Sequence, residues 1–213
     1  MAKGLVFAGN AGGDNKGVKG RMYALYATTG AIVCEHYLCA ARSAKHPSRP
    51  GRTGASDDRR RLGQRRRHPP TGGATSMAYL LDAATGTLYV PGGNPAPDFA
   101  PHLQPGGNLF AGSVIALDAK TRAVKAVYPL VERDFHDWDV SAAPSIITTR
   151  AGRRIAASPI KVGHLHLIDP AVGKVIHKTR ITTVSNADVP LTAGRAVRFC
   201  PGTQGGAEWN GAA

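Results

Sequence analysis

Four short polar stretches carry the residue types that could do chemistry, and each lies next to an apolar run that resembles a strand. They are GNAGGDNKGVKG (9–20) with Asp14, GGNPAPDF (92–99) with Asn94, FHDWDV (135–140) with Asp137 and Asp139, and PIKVGHLHLID (159–169) with Lys161. Carboxylate and amide oxygens are hard ligands of the kind that Ca²⁺ prefers. A carboxylate can also take a proton from a bound substrate, while a lysine adds a cation beside whatever the metal holds.

Taken singly, each of these residues has a structural interpretation. Asp14 could cap a turn, Asn94 could be a turn residue before Pro95, and Asp137 could pair with Arg133. The glycines of 9–20 do not form a GxGxxG motif, which argues against a dinucleotide site. The joint appearance of these polar residues on one repeating frame favours a shared site instead.

That frame is a repeat of a strand, a tight turn and a returning strand. Its copies are YALYATTGAIV (23–33), YLLDAATGTLYV (79–90), IALDAKTRAVKA (115–126) and HLIDPAVGKVIH (166–177). The pattern predicts four β-hairpins with Asx-type turns closed by glycine. In the third copy Arg122 replaces the glycine, so we expect it at positive φ. Tyr26, Asp82, Asp118 and Asp169 align at a mean spacing of about 48 residues, near one propeller blade.

The predicted fold is therefore all-β, a partial β-propeller of about four blades that belongs to a larger ring. The 213 residues are divided into a blade segment (1–39), a basic insert (40–71) and further blades (72–213). Gly-Gly-Ala recurs in GGATS (72–76) and GGAEW (205–209), where paired glycines allow a tight backbone turn. The apolar run near the N-terminus is too short for a signal peptide.

The net charge of +13 is concentrated in one segment, because residues 40–70 hold ten Lys or Arg against Asp57 and Asp58. Three interpretations stay open for this insert: a basic arm, a solvated loop between blades, and an out-of-frame translation of a GC-rich gene. It lacks the interleaved aromatic residues that stack on bases, so no nucleic-acid partner is expected. Three cysteines without a CxxC pair indicate neither a metal nor a redox motif.

Four stretches together resemble the pyrroloquinoline-quinone (PQQ) dependent dehydrogenases, the quinoprotein alcohol and glucose dehydrogenase family of eight-bladed propellers. They are GNAGGDNKGVKGRMYAL, GGNPAPDFAPHLQPGGNLF, HDWD and FCPGTQGGAEWNG, and the resemblance covers residues 4–39 and 72–211. It implies PQQ and calcium as cofactors, a small alcohol or sugar as substrate, a cytochrome c or membrane quinone as electron acceptor, and a periplasmic location.

The resemblance also implies a role for each candidate residue. Asp14 matches a carboxylate calcium ligand, usually Glu in the family, and Asn94 matches the asparagine ligand. Asp139 matches the catalytic base close to calcium and is also expected as a metal ligand. Lys161 matches the residue that polarises the quinone carbonyl. Gly12 and Gly13 are expected against the cofactor edge. Asp137 is expected to be a supporting or turn residue, and His136 receives no role.

The chain departs from the family where a Trp forms the floor under PQQ, because Ser76 occupies that place. Trp209 ends the second Gly-Gly-Ala copy and is expected to contact the cofactor. Cys34 and Ala126 occupy positions where such repeats carry a Trp that docks neighbouring blades. We therefore predict an inactive fragment that lacks other blades of the same protein. The alternative is a non-catalytic propeller scaffold that binds protein partners.

Overall fold

A computed structural model describes residues 4–15, 17–38, 53–54, 71–100, 103, 108–134 and 136–211. The strands of these residues are, in chain order, β1 Leu5–Gly9, β2 Arg21–Tyr26, β3 Ile32–Tyr37, β4 Thr53–Gly54, β5 Thr71–Gly72, β6 Leu80–Asp82, β7 Thr87–Pro91, β8 Pro95–Ala96, β9 Ser113–Asp118, β10 Val124–Pro129, β11 Ser145–Thr148, β12 Arg154–Ile160, β13 His164–Asp169 and β14 Lys174–Arg180. No helix in this part of the chain is long and apolar enough to cross a membrane.

The strands form three four-stranded sheets, ordered β1-β2-β3-β4, β6-β7-β9-β10 and β11-β12-β13-β14, and the short pair β5-β8. Neighbours are antiparallel except β3 and β4. The predicted all-β propeller class is confirmed. Within the described residues the chain completes three such sheets rather than about four blades, because residues 181–211 run as turns with one isolated bridge, Ser185 to Cys200.

All four predicted hairpins are present, as β2-β3, β6-β7, β9-β10 and β13-β14. The Asp82, Asp118 and Asp169 carboxylates accept backbone N–H groups of their own turns at 3.1, 3.0 and 2.8 Å. The turn glycines lie at positive φ, and Arg122 shares that conformation with a φ of 66°. The prediction for Arg122 is therefore confirmed.

The second sheet is buried on both faces, as its continuous apolar strands require. Leu88 and Val90 of β7 face one core with Met22 of the first sheet, while Tyr89 faces the other core with Ile160 of the third sheet. Sheets packed face to face in this way are arranged like successive propeller blades. Cys34 is buried, and Ala126 packs beside the core that contains Tyr89 and Ile160.

Most of the predicted insert 40–71 lies outside the described residues, so its three interpretations and the division of the chain at its borders stay predictions. Two of its residues, Thr53 and Gly54, form β4 and pair with His36 and Tyr37 of β3.

Candidate functional site

The candidate residues lie on connections rather than within sheets. Asp14 lies between β1 and β2, Asn94 follows β7, Asp139 follows β10, and Lys161 follows β12. Backbone hydrogen bonds tie these connections together. The Gly73 N–H donates to the Asn94 carbonyl at 2.7 Å, and the Lys161 N–H donates to the Asp139 carbonyl at 3.2 Å. Loops at one edge of three sheets thus converge on one place.

Lys161 is the centre of the site. Its Nζ lies 2.7 Å from Asp139 Oδ2, 3.0 Å from Asp137 Oδ2 and 3.8 Å from Glu208 Oε1. Only 8% of its side chain is exposed. Burial alone would lower the pKa of Lys161, but the carboxylates of Asp139 and Asp137 outweigh burial and raise that pKa. The lysine is therefore a fixed positive charge at any ordinary pH.

Asp139 is held by the protein through both of its carboxylate oxygens. Oδ1 accepts the Asn94 N–H at 2.7 Å, and Oδ2 pairs with Lys161. Gly93 permits this approach, since a Cβ at that position would lie 2.9 Å from Asp139 Oδ1. An oxygen that already accepts a charged or backbone donor is less available to a metal or a substrate proton.

Asp137 has a different environment. Its backbone φ is 66°, in the left-handed region, and its Oδ2 pairs with Lys161 rather than with Arg133. Its Oδ1 is buried and has no hydrogen-bond partner among the described residues. Burial and the neighbouring Asp139 raise the pKa of Asp137 to about 7. One oxygen of Asp137 is thus free for a ligand.

That carboxylate belongs to a cluster with Asp14 and Asp98. The three groups each offer an oxygen, and the three oxygens all lie within 4.8 Å of one another. The Asn94 side-chain amide joins the cluster, because its Nδ2 donates to Asp98 Oδ1 and, at 3.3 Å, to the Pro95 carbonyl. Burial and the charge of Asp14 raise the pKa of Asp98 to about 6. Three carboxyl groups this close repel one another unless a cation or protons intervene.

The glycines and aromatic residues predicted to contact a cofactor differ in environment. Nothing described lies within 4 Å of a Cβ built on Gly12, whereas Gly13 packs against Ala74. Trp209 is 64% exposed. Ser76 is exposed, and its hydroxyl contacts Met77 Sδ. Of these four, Gly12, Ser76 and Trp209 leave open surface that a ligand could cover, whereas Gly13 is buried.

Two acidic residues of the site were not among the sequence candidates. Asp98 lies in the GGNPAPDF stretch that supplied Asn94, and Glu208 lies in the GGAEW copy beside Trp209. Asp137 was a candidate, but it was expected to be only a supporting or turn residue. The one available signal was the presence of further acids inside the motifs already selected. The direction of each side chain depends on long-range contacts.

Together the fold and the site define a β-propeller segment whose connecting loops build an acidic pocket around one buried lysine. Residues 2–198 match the family model "PQQ: Glucose/ethanol/alcohol dehydrogenase, beta-propeller domain". The chain belongs to this family, which confirms the resemblance drawn from its motifs.

Curated relatives match part of their length. A probable quinate dehydrogenase (quinone) of Xanthomonas campestris pv. juglandis is 34% identical over 53% of this chain and 15% of its own. The glycerol dehydrogenase large subunit of Gluconobacter oxydans (strain 621H) is 33% identical over 51% of this chain and 16% of its own. Lupanine 17-hydroxylase [cytochrome c] of a Pseudomonas species is 29% identical over 81% of this chain and 25% of its own. The chain therefore spans a quarter or less of these three relatives.

Solved structures share the fold. The quinohemoprotein alcohol dehydrogenase of Comamonas testosteroni superposes with a TM-score of 0.77 at 24% identity, over 98% of this chain and 33% of its own. A europium-containing methanol dehydrogenase superposes with a TM-score of 0.74 at 18% identity, over 98% of this chain and 40% of its own. At these identities the superpositions establish the propeller architecture.

Proposed function

We propose that this chain carries the cation-binding and proton-accepting part of the active site of a PQQ-dependent dehydrogenase that oxidises alcohols or aldoses. The observation that supports the proposal is the convergence of Asp14, Asn94, Asp137, Asp139 and Lys161 from four separate connections. Such a convergence has no evident use in a propeller that serves only as a scaffold. Family membership gives the reaction class.

The cation site is assigned to Asp14, Asp98 and Asp137. Asn94, whose Nδ2 donates to Asp98 Oδ1, would offer its amide oxygen to the ion after rotation of the amide. Carboxylate and amide oxygens are hard donors, which suits calcium better than a soft transition metal. The charges agree with this assignment, since Lys161 pairs with the carboxyl groups of Asp137, Asp139 and Glu208, and Asp14 and Asp98 add two more carboxyl groups beside Asp137. A divalent cation would offset much of that excess. The buried, unpartnered oxygen of Asp137 gives the ion a ligand that no described protein group occupies.

The proton-accepting role is assigned to Asp139, which the sequence favours, because the free oxygen of Asp137 is already assigned to the ion. Asp139 also anchors Lys161 and the Asn94 backbone, which holds the lysine in place. Bound PQQ would supply the electron-accepting ortho-quinone, and Lys161 would place a positive charge beside it.

Ser76 weakens the fit to PQQ. A tryptophan at that position would offer roughly 200 Å² of apolar surface to a planar cofactor, whereas the Ser76 side chain is small and exposed. We therefore expect this chain to bind calcium but to show no ordinary turnover. In a complete ring, further blades would close the pocket, and electrons would pass to a cytochrome or a membrane quinone at the periplasmic face.

Calorimetric titration with calcium at pH 8 tests the proposal. The unaltered chain should bind one ion, and Asp137→Asn should weaken binding at least tenfold. Glu132→Gln is the matched control, because it removes the same charge from an exposed residue five positions away. Absence of calcium binding by the folded chain would favour the non-catalytic scaffold. A separate assay with PQQ, calcium and an artificial electron acceptor checks for turnover, and ordinary rates would refute the expected inactivity.

A further inference from the structure

We infer that Asp134 is a positioning residue, which holds the 136–138 turn so that Asp137 points into the cation site. This inference rests on the proposed function, because it concerns how the proposed cation ligand Asp137 is oriented. The Asp134 carboxylate contacts backbone N–H groups of its own loop, including that of Asp137. Its effect would be transmitted through the backbone of its own loop.

The Asp134 carboxylate spans that turn. Oδ1 accepts the His136 N–H at 2.9 Å, and Oδ2 accepts the Trp138 N–H at 2.9 Å. The two donors lie on either side of Asp137, so one side chain fixes the peptide groups that flank it. Hydrogen bonds to an ionised carboxylate are roughly twice as strong as those between neutral groups.

The conformation of Asp137 requires such support. Its φ of 66° is one that a residue with a side chain adopts at a cost. The same turn carries Trp138, which is buried and donates its indole N–H to the Ala187 carbonyl at 3.2 Å. Trp138 thus anchors one side of the turn and Asp134 ties both sides together. Between them, Asp137 presents Oδ2 to Lys161 and keeps Oδ1 free.

If the turn relaxed to ordinary φ, the Asp137 carboxylate would leave the cluster. Its oxygens could no longer meet both the Lys161 ammonium and the carboxylates of Asp14 and Asp98. Loss of Asp134 should therefore resemble partial loss of Asp137 in cation binding. A substitution that changed only the charge of the pocket would weaken calcium binding to the same extent whether or not Asp137 was present.

The test is a double-mutant cycle on calcium affinity, measured by calorimetry at pH 8 on the full chain. Asp134→Asn replaces one acceptor oxygen by a donor and should weaken calcium binding about tenfold, because one charge-assisted hydrogen bond is lost. In the Asp137→Asn background the same substitution should change affinity less than about twofold. Glu132→Gln, which removes an equal charge two residues away, should leave affinity within about twofold.

A second measurement does not depend on the cation. Urea unfolding followed by tryptophan fluorescence, to which both Trp138 and Trp209 contribute, should show the same non-additivity, with the double variant shifting the midpoint little more than the larger single change. The inference is overturned if Asp134→Asn behaves like Glu132→Gln, or if its effects add to those of Asp137→Asn in both measurements. If the native chain binds no calcium, the proposed function fails, and the urea cycle alone decides whether Asp134 positions Asp137.

Discussion

Replacement of Arg122 by glycine should stabilise the chain, although it removes a large side chain. In the other three hairpins the equivalent residues are Gly30, Gly86 and Gly173, with φ of 70°, 63° and 68°. Arg122 adopts φ of 66° with a Cβ present, and its Nε is buried without a hydrogen-bond partner among the described residues. The turn geometry of the repeat thus requires glycine where this copy has arginine.

The magnitude follows from opposing contributions. Left-handed φ costs a residue with a side chain about 1–2 kcal/mol. Glycine loses more backbone entropy on folding than arginine does, which costs about 0.5–1 kcal/mol. The hydrogen bond from Arg122 Nη1 to the Lys120 carbonyl, at 2.9 Å, is exposed, so its loss costs little. The expected net gain in the free energy of unfolding is about 1 kcal/mol.

Urea denaturation of matched variants checks this value. Lys120→Gly, in the same turn and outside the left-handed region, should destabilise by about 0.5–1 kcal/mol. Gly86→Ala should destabilise by about 1 kcal/mol from its φ alone, since no described atom lies within 4 Å of a Cβ there. The reasoning is refuted if Arg122→Gly lowers the free energy of unfolding as Lys120→Gly does.

Three further predictions concern pH, the cofactor and the buried lysine. Burial, with help from Lys178, lowers the pKa of His166 to about 4. The folded chain therefore binds fewer protons than the unfolded one between pH 4 and 6.5, and stability falls as pH drops. His166→Leu should remove about 2 kcal/mol of this loss at pH 5, as pH-dependent urea unfolding would show; an unchanged pH profile would contradict it. Ser76→Trp should tighten PQQ binding at least tenfold in an absorbance titration, while Ser76→Ala should not. Lys161→Gln should tighten calcium binding at pH 8, because it removes the positive charge beside the cation ligands; weaker binding in calorimetry would count against the assigned site.

The sequence predicted the hairpins well because their signal is local. An Asp at the start of a turn stabilises that turn by accepting its backbone N–H groups, as the Asp82, Asp118 and Asp169 carboxylates do. The same logic predicted the φ of Arg122. The number of complete sheets was less predictable, because residues 181–211 carry no comparable alternation.

The motifs named residues that the structure brings together, and the roles of these residues stay predictions. Asn94 contacts Asp139 through its backbone N–H, and Lys161 contacts it through its side chain. Residue types alone did not distinguish Asp137 from Asp139, since both lie beside Trp138, and only the family resemblance gave them different roles. Their difference arises from the positive φ of Asp137 and from the Asn94 N–H that occupies Asp139, and both depend on contacts between distant segments.

The two Gly-Gly-Ala segments have a consequence for the order of folding. Gly73 donates to the Asn94 carbonyl, and Gly206 donates to the Lys161 carbonyl at 2.7 Å, so each segment closes the site from a position 21 or 45 residues away. Each hairpin can form from neighbouring residues, whereas these bonds must await sheets that are already in place. The pocket should then be the last part of the chain to assemble and the first to open. Backbone amides of the Gly-Gly-Ala segments should accordingly exchange with solvent faster than those in β9 or β13.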